Sequence, residues 1–489
     1  NGSYRRLKTI NPPQSPVVWT TIATGAKPAE HGIFDFLHSD PKTCLPYLSI
    51  LRREGPRFKP PYSVKTFWEK ASDWGIPSTV IRWPVTFPPK PIKGKILAGL
   101  GVPDIRGTLG TYSFFTTDAG IAPSDKKGRI VQVQIKNNRI VTELAGPIGQ
   151  TSKGQKDITL PLVIDVSPEG ITCSLGSARI SLKEGQWSDW IQLKFSLGLL
   201  SSVKGLCKLY LKSLAPEFAL YVTPIHIDPE SYMFPISSPY DYAQDLLLDV
   251  GSPFATLGMP EEANSLNDEV IDEEAFLLHA DVLMQEREKM FMRALSKFQE
   301  GILACVFDTT DRVQHMFWRH TDPGHPAYNE QMAAKYGHVI SDYYRRMDKI
   351  VSSMMQKISD DTVVLICSDH GFSSLKKEFH LNSWLVQNGF MTLADGQTEC
   401  RGLFSAVQWS GTKAYAVGFN SIYLNRAGRE KQGIVTPEAE ETIKKELAEK
   451  LSSVWDNDTK VVNNVYKIRE IYGPAQPHNE PDLIVGYSQ

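Results

Sequence analysis

The stretch GILACVFDTTDRVQHMFW, residues 301–318, decides the fold. Its first part is a short apolar run typical of a buried strand, and its second part has the apolar spacing of a helix. A second run of this kind, DTVVLICSDHGF at 361–372, follows a helix predicted at about 330–357. Strand, helix and strand in this order predict neighbouring strands of a parallel sheet.

Each of the two apolar runs is followed by an aspartate and a histidine. Asp311 and His315 are four positions apart, which puts both on one helix face, and Asp369 and His370 are adjacent at the mouth of a strand. Sites are built at the edge where parallel strands end, and histidine with carboxylate suits zinc, manganese or iron. A surface pair and a strand-ending turn are the alternatives, but the two pairs together favour a metal site.

A serine in a rigid setting stands near the beginning of the chain. The stretch SPVVWTTIATG, residues 15–25, places Ser15 after Pro12 and Pro13 and before Pro16. Because proline fixes the backbone, the hydroxyl is held in one position, as a nucleophile must be. A capping or turn serine is the alternative. A pair of metal ions fits this serine better than a histidine base, since the chain has no GxSxG elbow.

The composition excludes several classes of protein. The 489 residues carry a net charge of −2, which offers no basic field for duplex nucleic acid. No apolar run reaches the length of a membrane span, so no transmembrane segment is expected. The six cysteines show no CxxC spacing, which argues against a thiolate zinc site and weakly favours a reducing compartment. GxGxxG and P-loop motifs are absent.

The sequence pattern divides the chain into three segments. Residues 1–107 alternate helix and strand patterns, and residues 231–489 return to them. Residues 108–230 show short strands between Gly and Pro turns, with a hairpin predicted at Asn137 and Asn138. The first and third segments are therefore predicted to form one α/β catalytic domain, and 108–230 to form a β-rich insertion that caps its site.

Four stretches together resemble the alkaline phosphatase superfamily, and within it the type I phosphodiesterase/nucleotide pyrophosphatase group. They are SPVVWTTIATGAKPAEHGIFDF (15–36), GLGVPDIRGTLGTYSFFTTD (99–118), FDTTDRVQHMFW (307–318) and VVLICSDHGF (363–372). The resemblance spans nearly the whole chain. It implies an alkaline-phosphatase-like sandwich of helices around a mostly parallel sheet. It also implies two divalent metal ions, zinc first, with manganese or iron as alternatives.

The resemblance assigns roles to five positions. Ser15 takes the place of the nucleophile, which precedes the Thr-Gly of the TGxxPxxHGI pattern by nine residues. Asp311 and His315 take the place of two ligands of one metal ion. Asp369 and His370 take the place of two ligands of the second metal ion.

Other positions of the resemblance are not matched within the chain. An early aspartate and a late histidine are expected upstream of residue 1 and beyond residue 489, because His380 and His478 lack the matching context. His31 is expected to be structural. The group also has an asparagine three residues after the nucleophile, where this chain has Val18.

The asparagine of the group holds a phosphate oxygen, so the chain needs a substitute for it. Arg82, Arg312 or main-chain N–H groups near Ser15 are the candidates.

These observations predict a metal-dependent hydrolase of small phosphate esters, foremost a phosphodiesterase that acts through a phosphoserine. A phosphomonoesterase, a phosphotransferase or a sulfatase of the same superfamily are the enzymatic alternatives, and the absence of a CxPxR-like setting at Ser15 counts against the sulfatase. A catalytically inactive, metal-stabilised binding module is the third interpretation. The oligomeric state stays open.

Overall fold

The computed structural model describes residues 2–55, 57–122, 126–151, 154–198, 201–400, 402–474 and 480–488. His478 therefore lies outside the described residues. The chain divides into two compact units. The first unit comprises Asn1–Lys70, Asp322–Tyr328 and Val363–Gln489, and the second comprises Ala71–Thr321 and Asn329–Thr362. The segment boundaries at 107 and 230 stay a prediction.

The described residues form helices and strands, with an uninterrupted run of strands between α3 and α4. The helices are α1 (Ser15–Thr24), α2 (Pro28–His31), α3 (Phe67–Asp73), α4 (Tyr242–Val250), α5 (Ala263–Asn267), α6 (Glu273–Lys297), α7 (Thr309–Phe317), α8 (Glu330–Tyr336), α9 (Val339–Met355), α10 (Leu381–Gln387), α11 (Pro437–Ser452) and α12 (Ile468–Tyr472). The first twelve strands are β1 (Leu37–Ser39), β2 (Pro46–Leu48), β3 (Arg52–Glu54), β4 (Arg57–Lys59), β5 (Ser78–Trp83), β6 (Gly94–Ala98), β7 (Ser113–Thr116), β8 (Arg129–Gln132), β9 (Arg139–Thr151), β10 (Gly154–Ser167), β11 (Gly170–Leu175) and β12 (Ala178–Leu182). The others are β13 (Gln186–Trp187), β14 (Ile191–Ser196), β15 (Ser202–Cys207), β16 (Leu209–Ser213), β17 (Ala219–Val222), β18 (His226–Ile227), β19 (Ser237–Ser238), β20 (Ile302–Cys305), β21 (Ala414–Val417), β22 (Ser421–Leu424), β23 (Trp455–Asp456), β24 (Thr459–Lys460), β25 (Val462–Lys467) and β26 (Leu483–Tyr487). Of these helices, none is both long enough and apolar enough to span a bilayer within the described residues.

The second unit contains a mostly parallel sheet. Its strand order is β19-β6-β5-β20, in which β5 is parallel to both β6 and β20, and β19 is antiparallel at one edge. Val80, Ile81 and Leu97 of β5 and β6 are buried, as strands covered on both faces require. Because β5 and β20 run in the same direction, Arg82 near the end of β5 and Asp308 just after β20 share one edge of the sheet. The mixed α/β class predicted from the sequence is thus confirmed.

Helices α6, α7 and α9 of the second unit share a hydrophobic core. Phe276 of α6, Phe317 of α7 and Tyr343 of α9 are buried in it. The long helix α6 begins after Asp272, whose side chain accepts a hydrogen bond from the N–H of Ala275 at 2.8 Å. This is the capping that an aspartate before an amphipathic run predicts. The core fixes α7, which carries one of the two Asp–His pairs.

The β-rich part of the second unit lies between β6 and α4 and forms three sheets. Their orders are β13-β16-β17-β7-β8, β12-β11-β10-β9 and β14-β15-β18, and one core joins them through buried side chains such as Phe115, Leu162 and Phe195. The hairpin predicted at Asn137 and Asn138 is confirmed at its turn, where Lys136 and Arg139 form an antiparallel bridge with N–H···O bonds of 2.9 and 3.0 Å. The two asparagines have φ of 50° and 58°. Beyond this bridge, however, β9 pairs with β10 and β8 pairs with β7. The 13 residues of β9 find more ladder partners in the 14 of β10 than in the 4 of β8.

The first unit is built on the antiparallel sheet β21-β22-β26-β25. Leu385 of α10 and Leu447 and Leu451 of α11 share a core with Ile422 and Leu483 of this sheet. Helix α11 therefore has one apolar side turned to the sheet.

The strand predicted over 361–369 is wrong for this structure. The chain there pairs with no strand, and the side chains of Val363, Leu365 and Ile366 are 93%, 83% and 69% exposed. An apolar, β-branched run has the propensity for a strand, but propensity does not supply a partner for its ladder hydrogen bonds. Asp369 and His370 consequently lie on a loop of the first unit rather than at a strand end.

Candidate active site

Ser15 is the first residue of α1. Pro16 occupies the second helical position, where a missing N–H costs no intrahelical hydrogen bond. The carbonyl of Gln14 accepts bonds from the N–H groups of Val17 and Val18, each at 3.0 Å. The serine is thus held at the N-terminal end of a helix, where the partial positive charge of the peptide dipoles favours an anion.

Gln14, the residue directly before Ser15, is held by a network of buried polar side chains. The sequence patterns do not predict this network. Gln14 Nε2 lies 3.3 Å from Asp35 Oδ2 and 3.4 Å from Asn420 Oδ1. Burial raises the pKa of Asp35 to about 6. A Cβ at Gly418, which has a φ of 78°, would collide with the Asp35 carboxylate, so glycine is required there. The one signal in the sequence is an acid inside the apolar stretch GIFDF.

The hydroxyl of Ser15 lies beside the loop pair formed by Asp369 and His370. Ser15 Oγ is 3.2 Å from His370 Nε2, and the same nitrogen is 3.5 Å from Asp369 Oδ2. His370 Nδ1 is 3.0 Å from the carbonyl oxygen of Gly371. Because a carbonyl only accepts, Nδ1 carries the proton and, in the neutral ring, Nε2 is the basic nitrogen. The Ser15 hydroxyl donates to it.

The loop pair fits a divalent cation. Asp369 Oδ2 is buried and has no hydrogen-bond partner among the described residues. A carboxylate oxygen and a basic imidazole nitrogen 3.5 Å apart repel each other unless a proton or a cation lies between them. Two ligands of a tetrahedral ion with bonds of about 2.0–2.1 Å are about 3.3 Å apart. His370 Nε2 and Asp369 Oδ2 are therefore donors of the kind that zinc accepts, and Ser15 Oγ lies 3.2 Å from the first of them.

Asp311 and His315, the helix pair, lie one turn apart on α7, as their spacing predicts. Asp311 Oδ1 is 3.4 Å from His315 Nε2, so the separation is nearly that of the loop pair. In the part of the chain that the structure describes, no three or more His, Cys, Asp or Glu side chains form a group that could hold a metal ion. Each pair therefore brings together two side chains of types that can ligate a metal ion, without a third such side chain in the described residues.

Asp308 fixes the start of α7. Its carbonyl accepts bonds from the N–H groups of Asp311 and Arg312 at 3.1 and 3.2 Å. Its carboxylate does not cap the helix but contacts Nη1 of Arg287 at 3.0 Å and Nη2 of Arg82 at 3.4 Å. Although burial opposes ionisation, the two guanidinium groups hold the pKa of Asp308 below its usual value. The helix pair is thus supported by two buried cations.

Arg82 is a structural residue and not a phosphate ligand, which removes one of the candidates from the sequence. Its guanidinium donates to the carbonyls of Thr256, Leu257 and Gly258 at 3.0, 2.7 and 3.3 Å. Burial lowers its pKa to about 10, and Asp308 opposes that change. Arg82 also has a φ of 59°, a strained conformation that persists only where surrounding contacts determine it.

His31 has the structural position that the sequence indicates. Its Nδ1 accepts from the N–H of Ile33 at 3.1 Å, and its Nε2 is 3.0 Å from Thr21 Oγ1. Burial lowers the pKa of His31 to about 3, so the ring is neutral. Both nitrogens are bonded within its own segment.

A family model places the chain among known proteins. The model described as Type I phosphodiesterase / nucleotide pyrophosphatase matches residues 1–136 and 229–487. The chain belongs to this family. Membership confirms the resemblance and makes the protein a phosphoric ester hydrolase of the phosphodiesterase and pyrophosphatase type. The match includes Ser15 and both Asp–His pairs, and it leaves out 137–228 of the β-rich part.

No curated protein and no solved structure matches the chain.

Proposed function

We propose that the protein is a metal-dependent phosphodiesterase with Ser15 as its nucleophile. One divalent ion would be held by Asp369 and His370, and the other by Asp311 and His315. The observation that carries the proposal is the 3.2 Å contact between Ser15 Oγ and His370 Nε2 at the N-terminal end of α1. The proposed architecture is the alkaline-phosphatase-like sandwich, with the segment 108–230 as its cap.

The chain's own residues account for the positioning in this reaction. Ser15 Oγ gives its proton to solvent water and attacks phosphorus, forming a serine–phosphorus ester while the bond from phosphorus to the leaving oxygen breaks and that oxygen takes up a proton from water. Water then hydrolyses the phosphoserine and restores the hydroxyl. The end of α1 stabilises the negative charge of the phosphoryl group. When bound, the metal ions lower the pKa of the attacking oxygens and neutralise phosphoryl charge.

The tight setting of Ser15 supports a role as nucleophile over a role as a helix cap. A capping serine occupies the residue before a helix, where its oxygen accepts from the helix N–H groups. Ser15 instead lies inside α1, and its oxygen contacts an imidazole 355 residues away in the sequence.

The test is hydrolysis of bis-para-nitrophenyl phosphate and para-nitrophenyl phosphate by the protein loaded with zinc or manganese. The Ser15→Ala variant is expected to lose at least about 10³-fold in turnover while keeping its metal content. Ser63→Ala serves as the control, because the hydroxyl of Ser63 donates to the carbonyl of Glu30 at an exposed position. Turnover retained in Ser15→Ala contradicts the nucleophile. A wild-type protein that binds metal but hydrolyses neither ester is the inactive binding module.

A further inference from the structure

A cluster of aromatic and polar side chains, the α6 junction, joins the β-rich part of the second unit to helix α6. Trp190 lies in the middle of it, and its Nε1 donates to Oε1 of Glu286 on α6 at 2.7 Å. The centroid of the Trp190 ring is 4.9 Å from that of His226 and 6.4 Å from that of His279. Lys208 Nζ lies 5.4 Å from the centroid of the same indole. The indole is half-buried and the other four side chains are buried, so the α6 junction is a polar contact inside the unit.

The two imidazole rings of the α6 junction are short of hydrogen bonds. His226 Nδ1 accepts from the N–H of Thr256 at 3.2 Å, but its Nε2 is without a partner in the described residues. Neither ring nitrogen of His279 has a partner in that part of the chain, and this ring stacks on the indole of Trp187 at 4.7 Å. The two histidines are 0% and 1% exposed. An unbonded polar atom at a buried position costs free energy, so these rings require a physical explanation.

The α6 junction also holds a segment that follows α4. The N–H of Ala255 donates to Oε2 of Glu286 at 2.9 Å. The N–H groups of Thr256 and Leu257 both donate to His226 Nδ1, at 3.2 and 3.4 Å. Because a protonated nitrogen cannot accept, these two bonds exist only while Nδ1 carries no proton.

The surroundings of the two rings oppose a positive charge on either of them. Burial, followed by the guanidinium of Arg82, lowers the pKa of His226 to about 3. Burial, followed by the ammonium of Lys208, lowers the pKa of His279 well below its usual value. Both rings are therefore neutral while the α6 junction is closed.

Other titratable groups around the rings act differently. Burial raises the pKa of Glu286, so a proton on this carboxyl favours the closed state and opposes the two rings in acid. Burial also raises the pKa of Cys207 and that of Tyr210, each to about 12, so neither group changes its charge in acid. Asp189 is exposed and attracts Lys208. One buried carboxyl thus opposes two buried imidazoles.

We propose that the α6 junction is a pH-sensitive clasp, closed at neutral pH and opened by acid. Opening brings His226 and His279 into water, where their ordinary pKa is 6.5. Because the open state takes up protons that the closed state does not, each ring makes opening about tenfold more favourable for every pH unit below about 6.5. From about pH 7.5 to about pH 5 each ring contributes about 30-fold and the two together about 10³-fold, from which Glu286 subtracts a part. The clasp does not depend on the proposed reaction.

Hydrogen exchange of the full chain, followed by mass spectrometry, tests the clasp at the amides that it holds. The reporter is a peptide over 254–258, and the reference is a peptide over 343–350 in α9. Between about pH 7.5 and about pH 5, protection of the reporter, corrected for the intrinsic exchange rate, is expected to fall about 10²- to 10³-fold. Protection of the reference is expected to fall by less than about tenfold.

Two variants and a control separate the rings from other effects of acid. His279→Phe keeps an aromatic ring against Trp187 but takes up no proton, so the loss of protection in the reporter is expected to be about 30-fold smaller. His226→Asn is expected to reduce the loss similarly, because Oδ1 of asparagine can accept bonds in place of Nδ1 without titrating. His338→Phe is the matched control, since His338 is exposed at the start of α9 and lies 3.6 Å from Asp342. It is expected to behave as the wild type.

Two results overturn the clasp. One is a wild type in which the reporter loses no more protection than the reference. The other is a loss that persists undiminished in both His279→Phe and His226→Asn, and if one of these variants fails to fold, the other decides alone. A loss that shrinks in these variants but not in His338→Phe supports the clasp.

Discussion

The helix pair and the loop pair reach nearly the same geometry by different means. The distance from carboxylate oxygen to imidazole nitrogen is 3.4 Å in Asp311–His315 and 3.5 Å in Asp369–His370. On α7 the spacing of four residues alone aligns the side chains. On the loop, the side chains of two adjacent residues are brought together by other groups. The hydroxyl of Thr9 donates a hydrogen bond to the carbonyl of Asp369, and the carbonyl of Gly371 contacts Nδ1 of the His370 ring. The first pair is specified by its spacing alone, whereas the second also involves a contact from a residue 360 positions away.

The two pairs also differ in how their surroundings are charged. Helix α7, which carries the helix pair, begins after Asp308, and the Asp308 carboxylate contacts two buried guanidinium groups. The loop pair faces Ser15, and the residue before that serine is held by Asp35, a buried carboxyl whose hydrogen-bond partners in the described residues include no cation. On the side of the helix pair, the free energy of unfolding is therefore expected to respond to the loss of the Asp308 charge. On the side of the loop pair, it is expected to respond to the pH range in which Asp35 titrates.

The largest expected effects come from removing one carboxylate of each pair. Asp311→Asn and Asp369→Asn are each expected to lose about one equivalent of bound metal and at least about 10³-fold in turnover. Metal content is measured by mass spectrometry of the dialysed protein and turnover with bis-para-nitrophenyl phosphate. If either variant keeps two equivalents of bound metal, the pair that was changed is not a metal site. The two pairs can then no longer be compared as metal sites.

Asp308→Asn tests the ionic support of the helix pair. It leaves Arg82 and Arg287 buried without their counter-charge, so the free energy of unfolding is expected to fall by about 2–4 kcal/mol. Urea unfolding monitored by circular dichroism measures this change. Asp348→Asn, at an exposed position of α9, is the control and is expected to change stability by less than about 0.5 kcal/mol. Equal stability of the two variants would show that the buried arginines do not depend on Asp308.

Asp35→Asn tests the pH-sensitive support on the loop side. Burial raises the pKa of Asp35 from 3.8 to about 6, so the folded chain keeps this proton over a range in which the unfolded chain loses it. The free energy of unfolding is therefore expected to fall by about 2–3 kcal/mol as the pH rises from about 4 to about 6. The variant removes this contribution, and urea unfolding at several pH values compares the two slopes. Identical slopes would mean that Asp35 titrates normally in the folded chain.

What the sequence predicts follows the same division between local and long-range causes. The position of Asp311 relative to His315 and the rigid setting of Ser15 depend on neighbours in the chain, and the sequence pattern predicts them. The strand over 361–369 depends on a partner elsewhere in the chain, and that prediction is wrong. The turn at Asn137 and Asn138 is local and forms as predicted, whereas β8 and β9 on either side of it pair with β7 and β10.

The supporting residues could not be predicted for a related reason. The only sequence signal for these residues is the acid Asp35 inside the apolar stretch GIFDF, because the burial of Asp35 and Arg82 is decided by segments far away in the sequence. Gln14 and Asn420, for example, contact each other across 406 positions. A sequence pattern shows which side chains can take part in a reaction, but not which other residues keep those side chains in position.

The smallest expected effect is that of Thr9, which contacts the loop pair and not the helix pair in the hydrogen bonds described. Thr9 Oγ1 donates to the Asp369 carbonyl at 2.9 Å, and Thr9→Val keeps the shape of the side chain while removing that bond. The loss of one such bond is worth about 0.5–1.5 kcal/mol, so binding of zinc at the loop pair is expected to weaken about 2- to 12-fold. Zinc titration is carried out in the Asp311→Asn background, where only the loop pair binds, and in the Asp369→Asn background, where only the helix pair binds. Weakening in the first background alone shows that the loop pair depends on a residue 360 positions away, and equal affinity in the first background would mean that the loop holds its geometry without Thr9.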